Sequence, residues 1–311
     1  MKTLLTVVLL GLAVQPGFLN AQVAVNPPGY ALGRVIGHCI VTRCQIVRGT
    51  LRTDTPIPGR PVLVHLEEQI AGPPVSGDTM ELPYVDPREH LKSIDYLHEA
   101  WGIGGGVQFL YGAPVLAVVA LAPESANTAA NYHGPLIVTS NQDILETTRS
   151  LTQAAARLEA FPDGISDAVA SLSRKVDRSL AGFLFSYLTE RVTVKNPDLE
   201  TALLGQMIGS PSVTPLVFNE IVAHIGLNYY RSSPSARAAI VRRFVDLADG
   251  RDDKAAEAGL RGLGQISHFR NEIMPMLPPA TAARISSTYR RLLQSRRMPR
   301  DPELEKLLQA Q

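Results

Sequence analysis

The chain has 311 residues, with 30 basic and 29 acidic side chains and a formal net charge of +1. So even a balance excludes a strong overall positive field, and no global charge argues for nucleic acid or anionic lipid. An apolar fraction of 45% is that of a globular protein with cores to build, not of a disordered chain.

The N-terminus carries the most specific signal. Lys2 forms a positive start, and Thr3 to Val14 is an apolar run of signal-peptide length. Pro16-Gly17 then break the helix, and Ala21 stands before a plausible cut at Gln22. The run falls short of the roughly 20 apolar residues that a bilayer-spanning helix needs. Export with cleavage is therefore expected, to the periplasm or outside the cell, with no transmembrane span left afterwards. No cysteine follows the apolar run closely, so a lipid anchor at the cut is not indicated.

Up to about residue 141 the text is strand-like and punctuated by proline and glycine. Strands are expected over Arg34 to Val41, Gln45 to Arg52, Pro61 to Ile70, Val107 to Tyr111, Val115 to Leu121 and Leu136 to Thr139. In the third of these, Val62, Val64 and Leu66 alternate with Leu63, His65 and Glu67, the pattern of a half-buried strand. Val115 to Leu121 is apolar on both faces, which fits a central strand. Pro87 to Glu99 reads as a short inserted helix. Several short strands in this length suggest a small antiparallel barrel or sandwich.

Cys39 and Cys44 are the two cysteines. Export would bring them to an oxidising compartment, where a bridge is the first thought. On an extended strand, however, five residues span about 16 Å, against a Cα limit near 7 Å for a disulfide. Two buried thiols on opposite strand faces are expected, unless Ile40 to Arg43 make a tight turn.

From about residue 142 helical patterns dominate. Asn196-Pro197, Ser233-Pro234 and Asp301-Pro302 each place a capping side chain before a proline at the first helical position. Ser210-Pro211 or Thr214-Pro215 gives another such start. Leu216, Val217, Ile221, Val222 and Ile225 make one apolar stripe, and Ile240, Val241, Phe244, Val245 and Ala248 make another. Leu203 to Gly209 is faintly echoed at Gly262 to His268. Either an irregular α-solenoid or a compact bundle fits these helices.

Familiar chemistries are missing. Gly102, Gly104, Gly105 and Gly106 fail the dinucleotide pattern because Val107 stands where its last glycine belongs, and the loop opens a strand rather than a helix. No lysine follows to make a phosphate loop. His98 to Gly102 lacks the second histidine of a zincin, and no nucleophile elbow is present. No cofactor or metal site is read. His90, Asp95, His98 and Glu99 remain as a loose catalytic group, because their carboxylates surround the two histidines. His224 lies among apolar helix residues and reads as a core histidine. Tyr229 and Tyr230 at a helix end form a candidate interaction surface. So does a basic tail of Arg290, Arg291, Arg296 and Arg297, although Leu292 and Leu293 suggest that its helix docks by an apolar side.

Phe109-x-x-Gly112 followed by Leu116 to Leu121 resembles a strand pattern of netrin-like domains, the OB-type barrels shared with metalloproteinase inhibitors. Similar domains occur in exported bacterial proteins of unassigned function. The stretches at Gly33 to Val41 and Arg60 to Glu68 would supply the first strands. The chain lacks the N-terminal Cys-x-Cys by which such inhibitors hold zinc, so inhibition is not implied. The helical part is similar to HEAT-type repeats. The resulting expectation is an α+β multidomain chain. Residues 1–21 are a signal peptide, 22–141 an OB-like antiparallel β barrel or sandwich, and 142–311 an all-α repeat or bundle domain. Its function is expected to be non-catalytic binding or scaffolding of a protein or envelope partner, with no nucleic acid involved. The alternative is a periplasmic or secreted hydrolase with a site where the two parts meet.

Overall fold

The structure, a computed structural model, describes residues 29–42, 44–53, 60–82, 111–120, 136–160, 164–192 and 196–309. It opens with helix α1 (Tyr30–Thr42), followed by strands β1 (Cys44–Leu51), β2 (Val62–Ala71), β3 (Thr79–Leu82), β4 (Pro114–Ala120) and β5 (Leu136–Thr139). Helices α2 (Gln142–Ala160), α3 (Gly164–Ser171) and α4 (Arg178–Tyr187) come next, and a π-helical turn (Leu188–Val192) ends α4. Then follow α5 (Pro197–Ile208), α6 (Pro215–Tyr229), α7 (Pro234–Ala248), α8 (Asp253–Gln265), the short α9 (Arg270–Ile273), α10 (Pro279–Gln294) and α11 (Pro302–Gln309). The protein is thus an α+β chain, a sheet and a long run of helices. No described helix is long and apolar enough to cross a membrane.

The strands form one antiparallel sheet in the order β3-β2-β1-β4-β5. Alternation along the strands divides its side chains between two cores. Ile46, Leu116 and Val118 join the core shared with the helices, while Val47, Leu51, Val62, Val64, Met80, Leu82, Val115, Ala117 and Val119 cluster on the other face. The register of β1 against β2 shifts twice, between Ile46 and Val47 and between Arg48 and Gly49. Such bulges bend a strand and increase its twist. The expected strands over β1, β2, β4 and β5 are present, and β4 lies inside the sheet with both faces buried. The short β3 was not expected. The expected strand at Val107 to Tyr111 and the helix at Pro87 to Glu99 fall outside the described residues, apart from Tyr111, which stands in a turn.

One expectation is overturned. Arg34 to Val41 is not a strand but the body of α1. Its β-branched residues favour strand locally, yet tertiary packing decides. Val35, Ile36 and Cys39 are buried in the shared core, and glycines at every fourth position turn to a neighbouring helix. The cysteine expectation falls with it. A helix rises only about 1.5 Å per residue, so Cys39 in the last turn of α1 comes within 5.0 Å, Cα to Cα, of Cys44 at the head of β1, and the two are bridged.

Helix α2 lies against the sheet through a two-pronged ion pair. Arg149 Nε donates to Glu68 Oε1 at 3.0 Å and Nη2 to Oε2 at 2.5 Å. That hydrogen-bonded guanidinium holds the Glu68 carboxyl below the ordinary range. The expected helix starts are found: Asn196 accepts from Leu199 N at 3.1 Å, Ser233 from Ala236 N at 3.3 Å and Asp301 from Leu304 N at 3.1 Å. Thr214, not Ser210, precedes the fourth, without a side-chain cap bond. Helices two apart in sequence run side by side in the same direction. Gly205 and Gly209 of α5 meet Ile240 and Arg243 of α7, and Asn219 and Gly226 of α6 meet Arg261 and Gln265 of α8. The echo noted in the sequence links α5 to α8 instead and does not follow this pairing.

Candidate functional site

Helix α1 carries two stripes, one residue apart and both with a four-residue spacing, which places each on its own face. The first is Gly29, Gly33 and Gly37. A Cβ at Gly33 would overlap the Ser179 carbonyl of α4 and lie 2.8 Å from the Phe183 amide nitrogen, and one at Gly37 would lie 2.7 Å from the Phe183 carbonyl. From the other side, a Cβ at Gly182 would overlap the Tyr30 carbonyl. Only residues without side chains allow backbones to approach so closely.

That approach brings the second stripe, Tyr30, Arg34 and His38, within reach of α6 and the π-helical turn. Tyr30 Oη and Arg34 Nη1 both donate to Glu220 Oε2, at 3.1 and 2.9 Å. His38 Nδ1 lies 2.7 Å from Glu190 Oε2 on the π turn. Single π turns often mark functional positions. Phe185 lies beneath this group: the Arg34 guanidinium sits 5.2 Å over its ring, and the His224 ring meets it edge-on at 5.2 Å. Burial pushes His224 below its ordinary pKa, nearby Arg34 adds to this, and Glu190 opposes it. Chemically, this is an imidazole–carboxylate pair with a second, neutral imidazole nearby.

The opposite flank of α6 borders a cavity of about 300 Å³ lined by Asn219, Val222, Arg261, Gln265, Met298 and Asp301 among others. Its polar groups are fixed in place. Arg261 Nε and Nη2 donate to the buried Glu257 Oε1 at 3.0 and 2.8 Å, and Nη1 donates to Asn219 Oδ1 at 3.0 Å. Asp301 Oδ1 caps α11. Further along α6, the neighbouring tyrosines part company. Tyr229 is fully buried and donates to Glu272 Oε2 at 3.0 Å. Its hydroxyl is pushed well up, first by burial and then by that carboxylate. Tyr230, 64% exposed, packs on Phe269 with centroids 4.7 Å apart, and its hydroxyl lies 2.7 Å from His268 Nε2. Leu227, one helical turn earlier, is 70% exposed.

Of the residues singled out in the sequence, His90, Asp95, His98 and Glu99 lie outside the described residues. Tyr229 supports the core, and Tyr230 stands at the surface. Two arginines of the basic tail converge on one carboxylate. Arg291 and Arg297 both pair with Asp253, at 2.5 and 3.3 Å, Arg290 Nε donates to the Ser286 carbonyl, and Arg296 ends α10 with a φ of 56°. Leu292 beneath them is buried. Sequence reasoning did not single out Arg34, His38, Glu190, Glu220, Asn219, Arg261 or Gln265 as a group. The four-residue spacing of Tyr30, Arg34 and His38 was the available signal for part of it. Among the described residues, no group of three or more His, Cys, Asp or Glu is placed to hold a metal ion.

The sequence matches no protein-family model, and neither a curated protein nor a solved structure matches it.

Proposed function

We propose that this is an exported, non-catalytic binding or scaffolding protein for a protein or envelope partner. In this reading an OB-like barrel joins a HEAT-like helical stack near residue 142. The strand order supports the barrel: β1 has β2 and β4 as neighbours, leaving β3 and β5 as edges whose pairing would close five strands. The apolar cluster on one face of the sheet would fill the interior. The stack is supported by side-by-side parallel partners, Gly205 with Ile240 and Gly209 with Arg243 34 to 35 residues apart and Asn219 with Arg261 42 apart, a range that reaches the period of about 40–47 residues in HEAT and armadillo repeats. Export is supported by the apolar N-terminal run and by the Cys39–Cys44 bridge, which suits an oxidising compartment.

The observation that carries the binding reading is the solvent face of α6. Leu227 and Tyr230 stand exposed on the helix whose earlier turns border a polar cavity, and exposed apolar groups on such a face mark interaction surfaces. A photo-crosslinking amino acid placed at exposed Ala223 or at Leu227, in the native cell, is expected to yield a discrete adduct in the envelope or secreted fraction. The same probe at Arg290 yields none, and the protein recovered begins at Gln22. Equal labelling at all three positions, or a cytoplasmic protein with its first 21 residues intact, would overturn this reading.

The His38–Glu190 pair favours a second reading, a hydrolase working where α1, the π turn and α6 meet. A carboxylate on one imidazole nitrogen is how a general-base histidine is oriented. Purified protein assayed on p-nitrophenyl esters and phosphates tests it. Turnover lost in His38→Gln and in Glu190→Gln would support catalysis, and no turnover, or turnover unchanged in both variants, would exclude this pair.

A further inference from the structure

The Tyr230 end of the α6 face differs in charge from the rest of that surface. Arg237 is paired with Glu272, which also accepts from Tyr229, and Arg261 is paired with Glu257. Arg231 and Arg270 are both exposed, and neither has an ion-pair partner among the described residues. Each directly follows one member of the touching aromatic pair, Tyr230 and Phe269. Two exposed arginines without an ion-pair partner among the described residues thus adjoin in sequence an aromatic pair whose near neighbour, Leu227, is exposed as well.

We infer that this end of α6 captures an acidic, extended segment of a protein partner. An apolar side chain of the segment lies against Leu227 and Tyr230, and its carboxylates meet Arg231 and Arg270. The inference rests on the binding reading and names the partner's chemistry. Guanidinium–carboxylate pairs at such a rim give specificity and rate, and the aromatic anchor gives the larger share of the affinity. A nucleic-acid backbone would need a longer basic track than two arginines.

The test uses the purified chain without its first 21 residues, and a fluorescein-labelled heptapeptide alternating glutamate with leucine and phenylalanine. Its lysine counterpart and vesicles of phosphatidylglycerol serve as rivals, all read by anisotropy or co-sedimentation. The acidic peptide is expected to bind and the lysine peptide not. Tyr230→Ala weakens binding about tenfold. Arg231→Glu with Arg270→Glu weakens it by a similar factor at low salt and by less at about 0.3 M salt, where exposed charges are screened. Arg157→Glu, at an exposed position on α2, leaves it unchanged. Circular dichroism establishes that each variant folds, and the arginine pair decides the matter if Tyr230→Ala does not. No binding of the acidic peptide, equal binding of the lysine peptide, affinity unmoved by either variant, or adsorption to vesicles instead would each overturn the inference. Site-selective crosslinking at Ala223 without affinity for the acidic peptide would remove the inference and leave the binding reading standing.

Discussion

Gly33→Ala and Gly182→Ala are each expected to destabilise the protein by about 3 kcal/mol, at the upper end of what one added methyl does in a packed core. The reason is what the methyl meets. At Gly33 it would land on the Ser179 carbonyl and near the Phe183 amide, and at Gly182 on the Tyr30 carbonyl. These are backbone atoms, so no rotamer change makes room, and α1 and α4 must move apart as whole helices. Separation would also draw Tyr30 and Arg34 away from Glu220 and His38 from Glu190. Thermal unfolding reads the effect, with a fall in Tm of about 6–12 °C for an apolar core of this size. Gly164→Ala is the control. Its nearest neighbour would lie at an ordinary 3.7 Å, and its backbone does not need glycine, so it should be neutral or slightly stabilising. Equal, small effects at all three positions would mean that the helices are not held by this close approach.

How much of this was legible in the sequence follows from how local each signal is. Strand alternation at Val62 to Leu66 and the two-faced apolar run at Val115 are local, and both gave strands where expected. Proline-led helix starts are local too, because the cap and the first turn lie within four residues. Helix α1 was missed because Val35, Ile36, Ile40 and Val41 suit a strand, and what overrode them was α4, about 150 residues away in the chain. The polar group along α1 went with it, since Arg34 and His38 come within one turn of each other in a helix but stand about 13 Å apart along a strand. Glu190 sits on a π turn, which no spacing announces. Asn219, Arg261 and Gln265 meet only because α6 and α8 stack. Tyr230 was half legible: a tyrosine pair closing a helix is visible in the text, but a rotation of about 100° per residue decides which ring is buried.

Phe185→Ala should destabilise the protein by about 3–5 kcal/mol for loss of a fully packed ring, because Phe185 is buried within the shared core. It should also alter how stability depends on pH. His224 has its pKa lowered in the folded protein, first by burial and then by Arg34, against an ordinary value of 6.5. As pH falls through 6.5, the unfolded chain takes up a proton that the folded protein resists, so stability is present above that value and is lost as pH falls toward and through the folded pKa. The carboxyls held low, Glu68, Asp198, Asp249 and Glu305, start from ordinary values of 3.8 or 4.5 and act below that window. Denaturant midpoints between about pH 7.5 and pH 5 cover the window in which this imidazole acts, and comparison with His224→Gln isolates its share of the slope. Removing the Phe185 ring opens a cavity beside His224 and loosens the Arg34 guanidinium above it. Water then reaches the imidazole, its pKa returns toward 6.5, and the slope over this window flattens. His224→Gln should flatten the same slope with a much smaller loss of stability at neutral pH. If the slope survives in His224→Gln, the acid sensitivity belongs to another group and the burial of this histidine is not its source.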